Sequence, residues 1–114
     1  MVSIDFVRRL ALSFPETNEQ PHFEKISFRV KTKIFATLDV KKNLACLMLS
    51  EVDQSVFSAY DKTVIYPVPN KWGKRGATYV DLENISKNIF KDALRIAYNR
   101  IAPSPSSTKI KRKG

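Results

Sequence analysis

The sequence gathers its most chemically suggestive side chains into one short stretch, PNKWGKRGATYVDL at 69–82. Lys71, Lys74 and Arg75 surround Trp72, the single tryptophan, together with two of the three glycines, Gly73 and Gly76. Cations on a glycine-bent loop can approach a phosphate backbone closely, and an indole among them can wedge into a groove or stack on a base. This is chemistry for gripping a polyanion, not for breaking bonds. The same residues also permit a structural role, with Trp72 folded back over an apolar sheet face and the cations solvated around it. The two arrangements are compatible, because an anchored indole would hold the loop stiff.

Other basic groups can join such a site. Lys31 and Lys33 flank one turn, and Lys41 and Lys42 sit in the next, at the opposite end of the intervening strand and about 20 Å away at the usual rise per residue. Lys87, Lys91 and Arg95 repeat every four residues and so line one side of a helix. A row of that kind ordinarily forms a wet outer face. Lys87 is unusual in falling in the first turn, where the helix dipole disfavours a cation.

A catalytic constellation is not visible. His22, the only histidine, precedes a strand beside Phe23, where a structural role is the ordinary one; a ligand pocket joining His22 and Lys25 to the Trp72 loop ranks last among the readings. Cys46 falls inside a strand-like run with no cation or base to activate it. Glu16 and Glu19 lie in a segment that holds no fixed separation. One histidine and one distant cysteine do not make a zinc site. GKRG lacks the four-residue gap and the following Lys-Ser/Thr of a phosphate-binding P-loop. No enzyme activity, metal or cofactor is expected.

The bulk properties agree with a binding role. The 114 residues suit a single domain, with 43% hydrophobic and 27% charged side chains. No run approaches the roughly 18 apolar residues of a membrane span, and Arg8 and Arg9 interrupt the first apolar segment, which argues against a signal peptide and against membrane partners. A lone cysteine suits a reducing cytoplasm. The net charge is +9; the tail 103–114 holds four cations and no acid, and subtracting them leaves +5 on residues 1–102. That balance favours anionic partners, although it also simply aids solubility. The tail, rich in Ser, Pro and Lys, is expected to be disordered.

The elements that must position these groups follow from periodicity. Ser3 caps a helix with Phe6, Val7, Leu10, Ala11 and Phe14 on one face, ended at Pro15. PETNEQPHF reads as loop. KISFRV and IFATLDV alternate with a two-residue period, and pairing Phe28 with Ala36 and Ile26 with Leu38 places a core on one face, with Arg29–Phe35, Ser27–Thr37 and Lys25–Asp39 on the other. This register sets Val30 opposite Ile34. LACLML is apolar on both sides: a two-residue turn at Lys41–Lys42 puts Leu44, Cys46 and Met48 on the open face, and a three-residue turn puts Ala45, Leu47 and Leu49 there. Ser50 caps a second helix lined by Val52, Val56 and Tyr60. VIYPVP, with two prolines, makes a short or edge strand. ATYVDL is the next strand, and Ser86 caps a last helix to about Ala102 with Ile89, Ala93, Ile96, Ala97 and Ile101 inward. The order α-β-β-β-α-β-β-α with short turns gives a two-layer α+β domain, helices on one face of an antiparallel sheet.

Two of these stretches, PHFEKISFRVKTKIFATL (21–38) and NKWGKRGATYVDL (70–82), in that order and followed by a helix ending in Ala102-Pro103, resemble the MmcQ/YjbR family of small bacterial proteins. Ile26, Asn70 and Ala77 depart from the family's usual proline, glycine and aromatic. The resemblance spans about residues 4–103 and implies an α-β(3)-α-β(2)-α fold, akin to frataxin-like and secretion-chaperone-like domains. It also implies a DNA-binding role through hairpin loops acting as wings. The leading functional expectation is therefore sequence-tolerant binding of nucleic acid, with mostly phosphate contacts. The alternative is an interaction module whose open sheet face, including Phe35, docks a protein partner or a second copy.

Overall fold

The computed structural model describes residues 1–102; the basic tail lies outside the described residues. In chain order the elements are α1 (Ile4–Ser13), β1 (Thr17–His22), β2 (Lys25–Val30), β3 (Lys33–Asp39), β4 (Leu44–Met48), α2 (Glu51–Tyr60), β5 (Ile65–Pro67), α3 (Lys71–Lys74), β6 (Ala77–Asp81) and α4 (Lys87–Ile101). The strands form one antiparallel six-stranded sheet in the order β1-β2-β3-β4-β6-β5. Helix α1 packs on β1, α4 on β3 and β4, and α2 on β5, so the two-layer α+β architecture read from the pattern holds.

Three capping serines set the helix starts. Ser3, Ser50 and Ser86 accept hydrogen bonds from the backbone N–H groups of Phe6 (3.0 Å), Asp53 (3.0 Å) and Ile89 (3.2 Å). Each satisfies an amide that the first turn leaves without a helical partner. Ser50 also donates its hydroxyl to the Asp53 carboxylate at 3.0 Å.

The stretch expected to be loop before β2 is instead strand β1, paired from Thr17 opposite Val30 to His22 opposite Lys25. It is polar, contains Pro21 and lies at the sheet edge, so no apolar alternation marks it. Its stability comes from the ladder, and from Ser27, whose hydroxyl donates to the Gln20 carbonyl at 3.0 Å and accepts from Arg29 Nε at 2.9 Å.

The β2–β3 register is right for Ile26–Leu38, Ser27–Thr37 and Phe28–Ala36, then shifts: Arg29 faces Ile34 and Val30 faces Lys33. Phe35 is the extra residue of a β-bulge. The bulge turns Phe35 to the same side as Ala36. Its ring is fully buried, edge-on to Phe14 (centroids 6.4 Å) and Tyr98 (5.6 Å). Phe35 therefore belongs to the helix-side core and not to the open sheet face. Beyond Asp39 the chain turns through Val40–Asn43, and Asp39 faces Leu44. This is the two-residue-turn register, so Ala45, Leu47 and Leu49 are buried while Leu44, Cys46 and Met48 lie half-buried on the open face.

Helix α2 also differs from its expected orientation. Val52 (72% exposed), Val56 and Tyr60 face solvent, and the face turned inward carries Gln54 and Phe57. In α4 the buried set is Phe90, Ala93, Leu94, Ala97 and Tyr98; Ile89, Ile96 and Ile101 pack at its margin.

Truncation at the bulge gives a direct check. Phe35→Ala should cost about 3–5 kcal/mol, the range for a buried aromatic. Urea unfolding measures it; placement on the open face would give a far smaller change.

Candidate functional site

The Trp72 segment is a single helical turn, α3, not an open loop. Asn70 starts it by accepting the Trp72 N–H at 2.8 Å through its side chain, and its carbonyl accepts from Gly73 N at 3.0 Å. The turn lies flat on the body because two positions lack side chains. A Cβ at Gly73 would stand 1.8 Å from the Val68 carbonyl oxygen, and one at Gly76 would stand 1.8 Å from that of Leu49. Gly76 also has φ +111°, open to glycine alone at little cost.

A buried amide completes the attachment. Gln54 of α2 donates its two Nε2 hydrogens to the carbonyls of Gly73 (2.8 Å) and Ala77 (3.0 Å), with Thr78 Oγ1 a third, longer contact at 3.2 Å. The Thr78 hydroxyl is itself spent on the Gly76 carbonyl at 2.7 Å. Backbone bonds from Leu49 N to Gly76 O and from Val68 N to Ala77 O clamp both flanks. Sequence reading missed Gln54 and the capping role of Asn70. The only signal for Gln54 was its three-residue spacing from Phe57, and the more apolar Val52-Val56-Tyr60 stripe masked it.

On this platform the polar groups point outward. Trp72 is 55% exposed, so it does not fold back to cover the sheet. Its ring lies between two cations, with Lys71 Nζ 5.9 Å and Arg75 Cζ 5.6 Å from the centroid. Lys71, Lys74 and Arg75 are exposed. Among the described residues, ion pairs join Arg8 to Glu19 (2.9 Å), Arg9 to Asp5 (3.0 Å) and Arg95 to Asp92 (3.9 Å), and none engages the three cations of the Trp72 turn.

The strand register sorts the remaining candidates by sheet end. Val30 pairs with Lys33, and Met48 with Ala77, so the Lys31–Lys33 turn and α3 occupy the same end. They stand two to three strands apart, about 10–15 Å at ordinary strand spacing. Lys41, Lys42, His22 and Lys25 lie at the opposite end, where Asp39 faces Leu44 and Leu44 faces Asp81. A pocket joining His22 and Lys25 to the Trp72 turn is therefore excluded by topology. His22 instead meets Phe23 edge-on at 5.0 Å, and Phe23 is 95% exposed at the tip of the β1–β2 hairpin with φ 60°. Lys87, Lys91 and Arg95 are exposed along α4, but Lys87 Nζ sits 4.8 Å from the Phe6 ring centroid, a cation–π contact that accounts for a lysine in the first helical turn.

The open face carries a row running Gln20, Ser27, Thr37, Cys46, Tyr79 and Tyr66 across all six strands. Burial pushes the Cys46 thiol above its ordinary pKa, outweighing the hydrogen bonds from Thr78 and Thr37 and the field of Lys25. The thiol is thus a packed group and not an activated nucleophile. Among the described residues no group of three or more His, Cys, Asp and Glu is placed to hold a metal ion, and no helix is long and apolar enough to cross a membrane.

Comparison with known proteins bears on the fold. No family model matches the sequence, and no curated protein matches it. Among solved structures, the chain is similar to Deinococcus radiodurans protein DR2400, which carries a DUF419 domain, with a TM-score of 0.76 over 89% of this chain and 79% of that one. At 20% identity the likeness establishes a shared small α+β fold.

An anionic quencher reports on this geometry. Iodide should quench Trp72 fluorescence more efficiently than caesium does, and added sodium chloride should shrink the difference, because cations flank the exposed ring. Equal, weak quenching by both ions would place the indole away from the solvated cations.

Proposed function

We propose that this chain is a nucleic-acid-binding domain of the YjbR type that holds phosphates without reading sequence. The observation that carries this reading is the rigid, solvent-facing cluster of Lys71, Trp72, Lys74 and Arg75, unpaired with carboxylates among the described residues and fixed to the body through Gly73, Gly76 and Gln54. Preorganised cations bind polyanions with less ordering cost than mobile ones. The Lys31–Lys33 turn at the same sheet end supplies a second basic prong. Its separation from α3 is of the order of a DNA major groove, about 12 Å wide. The family assignment rests on the two motif stretches at 21–38 and 70–82, and the solved neighbour supports the fold it implies.

The alternative, an interaction module, now draws on a smaller surface. Phe35 is no longer part of the open face, but Leu44, Cys46, Met48, Tyr66 and Tyr79 remain half-buried there.

Each phosphate contact contributes about 0.9 to the slope of log affinity against log salt on duplex DNA. Reversing charge at Lys74 and Arg75 should lower duplex affinity and flatten that slope by about 1–2. Lys62→Glu, on the turn before β5 at the other sheet end, should do neither. Fluorescence anisotropy at two salt concentrations, with and without residues 103–114, makes the comparison; equal effects of the two changes would refute the site.

A further inference from the structure

Beside α3 lies an open cleft of about 580 Å³, lined by Gln54, Pro67, Val68, Pro69, Asn70, Lys71, Gly73 and Lys74. That volume is within the range of small-ligand sites. Its wall is mostly apolar: Pro67 and Pro69 lack N–H groups, and the Val68 N–H is spent on Ala77. Gln54 is the buried polar side chain in it, nine-tenths removed from solvent.

The orientation of that amide is fixed by chemistry. Two backbone carbonyls and a hydroxyl already committed as a donor surround one end, and all three can only accept there. The nitrogen must face them. Oε1 therefore faces the other way, and among the described residues no donor reaches it. That oxygen is not sealed from solvent, so water or a ligand can donate to it. At the rim, Lys71 and Lys74 add two exposed cations.

We propose that this cleft receives one unpaired nucleotide. The flat base lies against the Pro67–Pro69 wall, an N–H of its edge donates to Gln54 Oε1, and its phosphate meets Lys71 and Lys74. This deepens the nucleic-acid reading and rests on it. It adds a preference for bases that are out of the duplex, because a base stacked within the duplex cannot lay its face against the cleft wall. A free nucleotide offers the same base and phosphate as a nucleotide within a strand.

The full-length chain is titrated with a labelled single-stranded deoxycytidine oligonucleotide, an abasic strand of equal length, and a duplex. The intact strand should bind about 10-fold more tightly than the abasic one, in line with the usual gain from seating a base. Pro69→Phe fills the cleft and leaves every cation in place, and Gln54→Met removes the acceptor together with the Nε2 bonds that attach α3, so it is read only where duplex affinity is retained; circular dichroism verifies that each is folded. Pro69→Phe should abolish the 10-fold preference and leave duplex affinity unchanged. Gln54→Met should reduce the preference, and Trp72→Ala should leave it in place. Displacement of the strand by free deoxycytidine monophosphate at micromolar concentration would assign the cleft to free nucleotides, and lack of displacement would assign it to strands; both agree with the proposal provided Pro69→Phe abolishes the effect. Equal binding of intact and abasic strands, or a preference lost only in Trp72→Ala, would overturn it. Either result with duplex binding retained would leave the phosphate-binding role of α3 standing, whereas loss of all salt-sensitive binding would refute both.

Discussion

One side-chain amide, Gln54 Nε2, joins α2 to a segment about twenty residues further along the chain. It reaches from α2 to the Gly73 carbonyl in α3 and to Ala77 and Thr78 in β6. An unbonded amide at this depth would cost about 1–3 kcal/mol, so the bonds hold the elements in a single arrangement as much as they add stability. Glycine makes the arrangement possible. At Gly73 and Gly76 the backbone comes so close to the Val68 and Leu49 carbonyls that no β-carbon fits. The exposed cations and indole of α3 owe their fixed direction to these contacts. Their own side chains contribute little to it, since they face solvent and one another.

A second constraint acts at the sheet. The bulge in β3 reverses the face of one residue, and with it the character of two surfaces. The helix-side core gains Phe35, which completes an aromatic group with Phe14 and Tyr98; the last two rings stack at 4.6 Å. Tyr98 keeps its hydroxyl satisfied by donating to the Pro15 carbonyl at 2.8 Å, which ties the end of α1 to α4. The open face loses its largest apolar side chain and keeps Leu44, Cys46, Met48, Tyr66 and Tyr79 half-buried.

Much of the frame was legible in the residue pattern. Three capping serines, the alternation in β2 and β3 and the two-layer class could all be read because each depends on residues adjacent in sequence. The edge placement of β5 followed from its prolines, which cannot donate to a ladder. Strand β1 escaped notice because an edge strand held by backbone bonds needs no apolar period. The inward face of α2 was misjudged for a related reason. Val52, Val56 and Tyr60 have the right spacing for a core stripe, yet they face solvent, and a glutamine takes the buried position because three acceptors from other elements meet it there.

The sequence by itself determined the helix starts, most strand positions, the fold class and the inventory of cations around a single tryptophan. These rest on local geometry: caps, turns and periodicities act within a few residues. Only the tertiary structure decided which basic groups share a sheet end, that Phe35 points into the core, that Trp72 stands in solvent, and that Gln54 is buried against α3 and β6. Those outcomes depend on strand register, on one inserted residue and on contacts between elements tens of residues apart. No local preference encodes them, because the energies that fix them exist only once the elements are packed together.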